Sequence, residues 1–233
     1  MTTGAGDNTI VSPVHTKRPP NAPPSYIVVE GPIGVGKTSL ARRLAEAFGS
    51  ELVLEHPEEN PFLDRFYSAR RRYALPTQLF FLFQRSRQLQ ALKQRDMFAP
   101  SRVADFLLQK DTLFARVNLE DDEFRLYRQV YDQLAPDMPV PDLAIYLQAP
   151  VEVLRERIAR RGVEYEKSIE PEYLQQLVDA YTNYFHRYTE TPLLIINAAE
   201  INFVEVEGDL NTLVDRIRAT RSGRHYFNPL STV

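Results

Sequence analysis

The chain has no cysteine. That excludes a disulfide framework, a thiolate nucleophile and a cysteine-ligated zinc site, and it fits a reducing cytoplasm. Long apolar runs are also missing. Stretches such as Leu79-Phe-Phe-Leu-Phe83 fall far below the ~20 residues a membrane helix needs, and no charged-then-apolar secretory signal opens the chain. A soluble, cytoplasmic protein with no membrane partner is expected. Charge is balanced too: a formal net charge of -3 gives no global attraction to nucleic acid, so no nucleic-acid partner is expected. The four histidines, His15, His56, His186 and His225, show no metal-ligand spacing.

With 233 residues, 43% hydrophobic and 25% charged, the chain suits one globular domain with a sheet covered by helices on both faces. Residues 1–24 carry five prolines and little apolar content, too little to offset ordering entropy. A disordered proline-rich tail is expected there, followed by a single domain over 25–233. The arginine runs Arg42-Arg43 and Arg70-Arg71-Arg72 read as solvated helix faces, because adjacent helical residues point in different directions.

From Tyr26 onward, short apolar runs alternate with longer helical periods, the pattern of parallel strands joined by helical crossovers. Strands are expected at 26–30, 52–55, 102–106, 143–148 and 193–197. Helices are expected at 38–48, 61–72, 76–95, 110–119, 123–134, 151–161, 171–188 and 211–220, with proline in the first turn of several. The fold class is α/β: three layers around a central five-stranded parallel sheet. In such a sheet, ligands gather beyond the carboxyl ends of the strands.

The first strand runs straight into Gly31-Pro-Ile-Gly34-Val35-Gly36-Lys37-Thr38-Ser39. This is the strand-loop-helix setting of a phosphate-binding loop. Its glycines let backbone N–H groups turn toward phosphate oxygens, Lys37 can reach the β- and γ-phosphates, and the Thr38 hydroxyl can ligate Mg²⁺. ATP and Mg²⁺ are the expected cofactors. Two further strand ends carry carboxylates, Glu55 and Asp105. Transfer of a phosphoryl group to a hydroxyl needs metal neutralisation, cationic stabilisation and a carboxylate to orient or deprotonate the acceptor. Arg157, Arg160 and Arg161 before Gly162 can supply the cation from a lid near residues 157–168; the residues alone equally allow a solvated helix end.

Taken in order, several segments resemble the deoxyribonucleoside kinases. They are Gly31 to Thr38, Glu55-His-Pro-Glu-Glu-Asn-Pro-Phe62, Gln78 with Arg85, Asp105 with Asp111, and Arg157 to Gly162 with Glu166. Bacterial deoxyadenosine and deoxyguanosine kinases look nearest, with deoxycytidine kinase as a relative, and the match runs from about Tyr26 to Tyr188. The resemblance implies a P-loop kinase fold with a helical lid, and transfer of the ATP γ-phosphoryl group to the 5′-hydroxyl of a deoxynucleoside, purines favoured. Glu55 would act on that hydroxyl. Lys37, Arg157 and Arg161 would stabilise charge, and Thr38 with Asp105 would place Mg²⁺. Tyr67 and Glu166 would hold the sugar 3′-hydroxyl, while Gln78, Arg85 and Asp111 would read the base. Phe80, Phe81 and Phe83 suit either a stacking wall or core. A homodimer is implied, with the helix from Pro76 as one possible face.

Two positions depart from the family pattern. Phe106 stands where relatives carry an arginine after the acid, and Val163 where many have another lid arginine. Arg42, Arg102 or a lid arginine could compensate. Other readings stay open. A nucleoside monophosphate kinase shares the loop and an arginine lid, but Glu55 would repel an acceptor phosphate. A non-catalytic nucleotide sensor shares the loop alone. A regulatory GTPase does not fit, since neither an Asn-Lys-x-Asp segment nor an Asp-x-x-Gly switch is present.

Overall fold

The computed structural model describes residues 22–94, 101–134, 139–203 and 206–228. The proline-rich tail up to residue 21, and Arg95 at the end of one expected helix, lie outside these. Strands β1 (Tyr26–Glu30), β2 (Glu51–Val53), β3 (Arg102–Ala104), β4 (Leu143–Gln148), β5 (Leu193–Asn197) and β6 (Arg224–Phe227) form one sheet in the order β2-β3-β1-β4-β5-β6. Every neighbouring pair is parallel.

Each strand feeds two cores by simple alternation. Ile27, Val29, Leu143, Ile145 and Leu147 face one side, while Val28, Ala144 and Tyr146 face the other. Burial on both faces explains why these strands read as unbroken apolar runs. The first core is closed by α1 (Lys37–Phe48), α6 (Val151–Arg161) and α8 (Glu207–Ala219). The second is closed by α2 (Leu63–Ser68), α3 (Arg70–Gln94), α4 (Lys110–Asn118), α5 (Asp121–Leu134) and α7 (Pro171–Arg187). No helix among the described residues is long and apolar enough to cross a membrane.

Three expectations are corrected. The sheet has six strands rather than five, because Arg224–Phe227 adds a parallel edge strand beside β5; only half-buried and exposed residues line it, so no apolar run marked it. The helix expected to start at Pro76 instead begins at Arg70 and carries Pro76 in its interior. Proline there removes one bond to the Arg72 carbonyl, at an exposed turn where water can take its place, while Ala74, Leu82 and Leu89 fix the helix in the core. Finally, β2 and β3 stop at Val53 and Ala104, so Glu55 and Asp105 stand in the loops just beyond the strands. That releases both carboxylates to face the phosphate loop from the carboxyl edge, where β1 is flanked by β3 and β4.

Candidate active site

The loop from Gly31 to Gly36 joins β1 to α1 with an unusual backbone. Gly34 has φ 83°, and a Cβ there would lie 2.8 Å from Ile158 Cγ1 and 2.9 Å from the Leu154 carbonyl oxygen. Only glycine lets the loop pack this closely on α6. Lys37 Nζ folds back over the loop, donating to the carbonyls of Gly31 (2.8 Å) and Pro32 (3.1 Å). Burial, with Lys110 nearby, pulls its pKa down to about 8 against the opposing pull of Glu30, Glu55 and Asp105. Val35 is buried and Ser39 is exposed.

Asp105 joins the loop to the acceptor side. Its Oδ2 accepts from the Thr38 hydroxyl at 2.5 Å and its Oδ1 from the Glu55 backbone N–H at 2.8 Å. Thr38 and Asp105 thus present adjacent oxygens at the loop, the hard donor set Mg²⁺ takes alongside water and substrate phosphates. Among the described residues no cluster of three or more His, Cys, Asp or Glu side chains could hold a metal unaided, so any bound Mg²⁺ would need oxygens from the nucleotide or water.

Glu55 is gripped from two sides. Its Oε1 pairs with Arg85 on α3, and its Oε2 accepts from Lys110 Nζ on α4 at 3.1 Å. Burial pushes its pKa up, but Arg85, Lys110 and Lys37 outweigh that and hold it down at about 2. The group is a carboxylate across the physiological range. Arg85 also pairs with Asp111 and lies over the Phe81 ring, 4.8 Å from its centroid. The pair engages Asp111 Oδ1, while Oδ2 has no hydrogen-bond partner among the described residues, which leaves acceptor capacity for a ligand. Gln78, two turns before Arg85 on α3, is buried as well.

The other nominated residues gather beside this cluster. Tyr67 stacks parallel on Tyr165, with centroids 6.1 Å apart, and burial together with Tyr173 and Glu166 raises its pKa well above the usual value. Gly162, with φ 69°, ends α6 before a 3-10 turn at Glu164–Ser168. Glu166 in that turn is buried and takes Arg161 in a forked pair, from Nε at 2.9 Å and from NH2 at 2.5 Å. Arg157 donates instead to two carbonyls, Val35 (3.0 Å) and Ala198 (2.7 Å), and so clamps the phosphate loop against the loop after β5. Of the three phenylalanines on α3, Phe81 is buried, Phe80 half-buried and Phe83 exposed.

Sequence reasoning missed three members, Glu30, Lys110 and Tyr181. Glu30, the last residue of β1, is fully buried. Its carboxylate accepts from the backbone N–H of Leu107 (2.6 Å) and Gly31 (3.1 Å) and from the Tyr181 hydroxyl (3.0 Å). Lys110 approaches its Oε1 at 3.5 Å. A charged residue closing an otherwise apolar strand was the available signal for Glu30. None of the residues suggested to replace an arginine at Phe106 is found on Glu55: Arg42 and Arg160 are exposed, Arg102 pairs with Glu51 at 3.2 Å, and Arg157 and Arg161 are engaged as above. Phe106 itself is buried in the core. A cavity of about 520 Å³ beyond β4, β5 and β6, lined by Gln148 and Asn197, reaches the phosphate loop at Pro32.

The deoxynucleoside kinase family model matches residues 27–220. The chain belongs to the deoxynucleoside kinase family. As such it is an ATP-dependent deoxynucleoside kinase. It is 34% identical over 190 residues to a deoxyguanosine kinase of Bacillus subtilis (strain 168), covering 81% of this chain and 89% of the relative. It is 30% identical over 193 residues to a deoxyadenosine kinase of Lactobacillus acidophilus, covering 76% and 87%. Among solved structures, deoxyadenosine kinase from M. mycoides with bound dCTP superposes with a TM-score of 0.72 at 22% identity, over 83% of this chain and 99% of that one. At that identity the superposition speaks for the fold, a parallel sheet flanked by helices.

Proposed function

We propose that this kinase transfers the γ-phosphoryl group of ATP to the 5′-hydroxyl of a deoxyribonucleoside, with purine deoxynucleosides preferred. The observation that carries this reading is the placement of Glu55. Its backbone N–H is held by Asp105, which also accepts from Thr38 at the phosphate loop, and its carboxylate is held ionised by Arg85, Lys110 and Lys37. An ionised acid at that place can orient a neutral alcohol and take its proton as the O–P bond forms. It would repel an acceptor that already carried a phosphate, which argues against a nucleoside monophosphate kinase.

The remaining roles follow from position. Lys37 and the loop backbone cradle the triphosphate, and Arg157 keeps the loop in shape through the Val35 carbonyl. Thr38 and Asp105 would hold Mg²⁺, which would neutralise charge on the transferring phosphates. Tyr67 and Glu166 flank the sugar, and the Arg161 guanidinium on Glu166 is the lid cation free to move toward phosphate when a nucleoside takes over Glu166. Arg85 and Asp111, with Gln78, read the base. Relatives named for deoxyguanosine and deoxyadenosine support purine preference.

The deciding experiment offers Mg-ATP with each of four deoxynucleosides, adenosine and the matching monophosphates, and follows products chromatographically. Deoxynucleoside 5′-monophosphate should form, fastest with deoxyguanosine or deoxyadenosine. Diphosphate formed from monophosphates, or ATP turnover indifferent to any acceptor, contradicts the reading.

A second expectation concerns Lys37. With a pKa near 8 in the free enzyme, part of the population is neutral at pH 8.5. A triphosphate favours the ammonium and raises that pKa, so ATP binding should take up a fraction of a proton at pH 8.5 and almost none from Lys37 at pH 6.5. Calorimetry in two buffers of different ionisation enthalpy reads this directly; equal uptake at both pH values contradicts it.

A homodimer and a cytoplasmic setting complete the proposal by analogy with the family and its dependence on ATP. On α3, Phe83 is the only strongly exposed large apolar side chain among the described residues, which makes it the natural contact on that helix. Sedimentation showing a monomer at micromolar concentration discards the dimer.

A further inference from the structure

We propose that Lys110 is a positioning residue for phosphoryl transfer, its ammonium anchoring the Glu55 carboxylate between the root of the phosphate loop and the base-reading Arg85. The inference rests on the role proposed for Glu55 and extends it to a side chain that neither the sequence pattern nor the comparisons single out.

Lys110 is an unfavourable residue for its position on structural grounds alone. It is the first residue of α4 and is almost fully buried. A helix N-terminus carries partial positive charge, so a cation there is disfavoured by the dipole and again by the loss of water. A methionine would fill the same space without either cost. What the ammonium gains is two carboxylates: Glu55 Oε2 at 3.1 Å and Glu30 Oε1 at 3.5 Å. Glu30 is itself fixed by the backbone N–H groups of Gly31 and Leu107 and by the Tyr181 hydroxyl. Buried charges therefore alternate in an unbroken chain, Glu30–Lys110–Glu55–Arg85–Asp111. One end touches the phosphate loop and the other touches the base reader.

The chain restricts Glu55 in two ways. Geometrically, Arg85 holds one oxygen and Lys110 the other, so the carboxylate plane cannot turn. Electrostatically, the charged groups facing Glu55 are Arg85 from α3, Lys110 from α4 and Lys37 from α1, all of which favour its ionised form against the cost of burial. Glu55 is also close enough to influence the phenols of Tyr67, Tyr165 and Tyr181, and Asp105 holds its backbone N–H. Phe106, the residue after Asp105, is turned into the core and contributes no charge.

The test compares full-length wild type, Lys110→Met and Lys110→Arg in steady-state assays at neutral pH, with thermal unfolding measured alongside. In Lys110→Met, kcat should fall by roughly tenfold to a hundredfold through misplacement of the carboxylate, while KM for ATP changes less than about threefold. Lys110→Arg should recover most of kcat. Wild-type kcat in Lys110→Met overturns the proposal, as does a slow Lys110→Met that Lys110→Arg fails to rescue or whose loss lies equally in KM for ATP. If Lys110→Met does not fold, the pair Glu30→Gln with Lys110→Met removes one charge of each sign and carries the same readouts. The underlying reading fails differently: an active Glu55→Gln enzyme removes Glu55, whereas an inactive Glu55→Gln beside an unaffected Lys110→Met removes Lys110 alone.

Discussion

Glu55→Gln should lower kcat by roughly 10² to 10⁴-fold, the range a positioned general base contributes, while the dissociation constant for ATP changes less than about threefold. The amide has nearly the shape of the acid and can still accept from Lys110 or Arg85, but it cannot take a proton. Because Glu55 does not touch the loop atoms that surround Lys37, the ATP site should survive. A fall in kcat and kcat/KM together marks an interaction made in the transition state. Near-normal turnover, or loss of ATP binding equal to the loss of turnover, removes Glu55 from its role. The substitution also leaves Arg85 and Lys110 short of a counter-charge, so thermal unfolding should be measured to separate chemistry from folding.

Arg85→Ala should be the most damaging change on the nucleoside side. The guanidinium serves Glu55 and Asp111 at once, and both would be left buried without it. Breaking a buried ion pair by removing one partner costs about 3–5 kcal/mol, so part of the effect should appear as lower stability. The specific effect should appear in kcat/KM for the deoxynucleoside, reduced by about a hundredfold or more, with the order of preference among bases flattened. The pH profile adds a sign. Arg85 is the strongest of the partners lowering the Glu55 pKa, so its removal raises that pKa and activity should fade earlier as pH drops. Asp111→Ala should flatten base preference in the same way, yet leave Glu55 with Lys110 and Arg85 and so shift the pH profile little. If both variants keep the wild-type order of bases, the pair does not read the base.

What was legible beforehand divides along a physical line. The phosphate loop, its glycines and Lys37 are set by local backbone geometry, and the sequence states them within nine residues. Arg85 and Asp111 were legible as a pair only through the resemblance of their segments to the deoxyribonucleoside kinases. Glu30 and Lys110 were not, because their meaning lies in a long-range contact: only when α4 packs beneath the sheet edge does an unremarkable lysine enter the reach of two carboxylates. Arg157 was legible as a cation, but its work on the Val35 and Ala198 carbonyls depends on how closely α6 meets the loop. For Pro76, local preference called for a helix start, and burial of Ala74 and Leu82 in the core overrode it. The edge strand β6 lacks the apolar alternation that betrays inner strands.

The account turns on the distance between one carboxylate and one alcohol, and a structure of the enzyme with a purine deoxynucleoside and a non-hydrolysable ATP analogue measures it. The 5′-oxygen should lie about 2.6–3.2 Å from a Glu55 carboxylate oxygen, in line with the γ-phosphorus above Lys37. A nucleoside bound with its 5′-oxygen away from Glu55, or with another side chain in that place, contradicts the account.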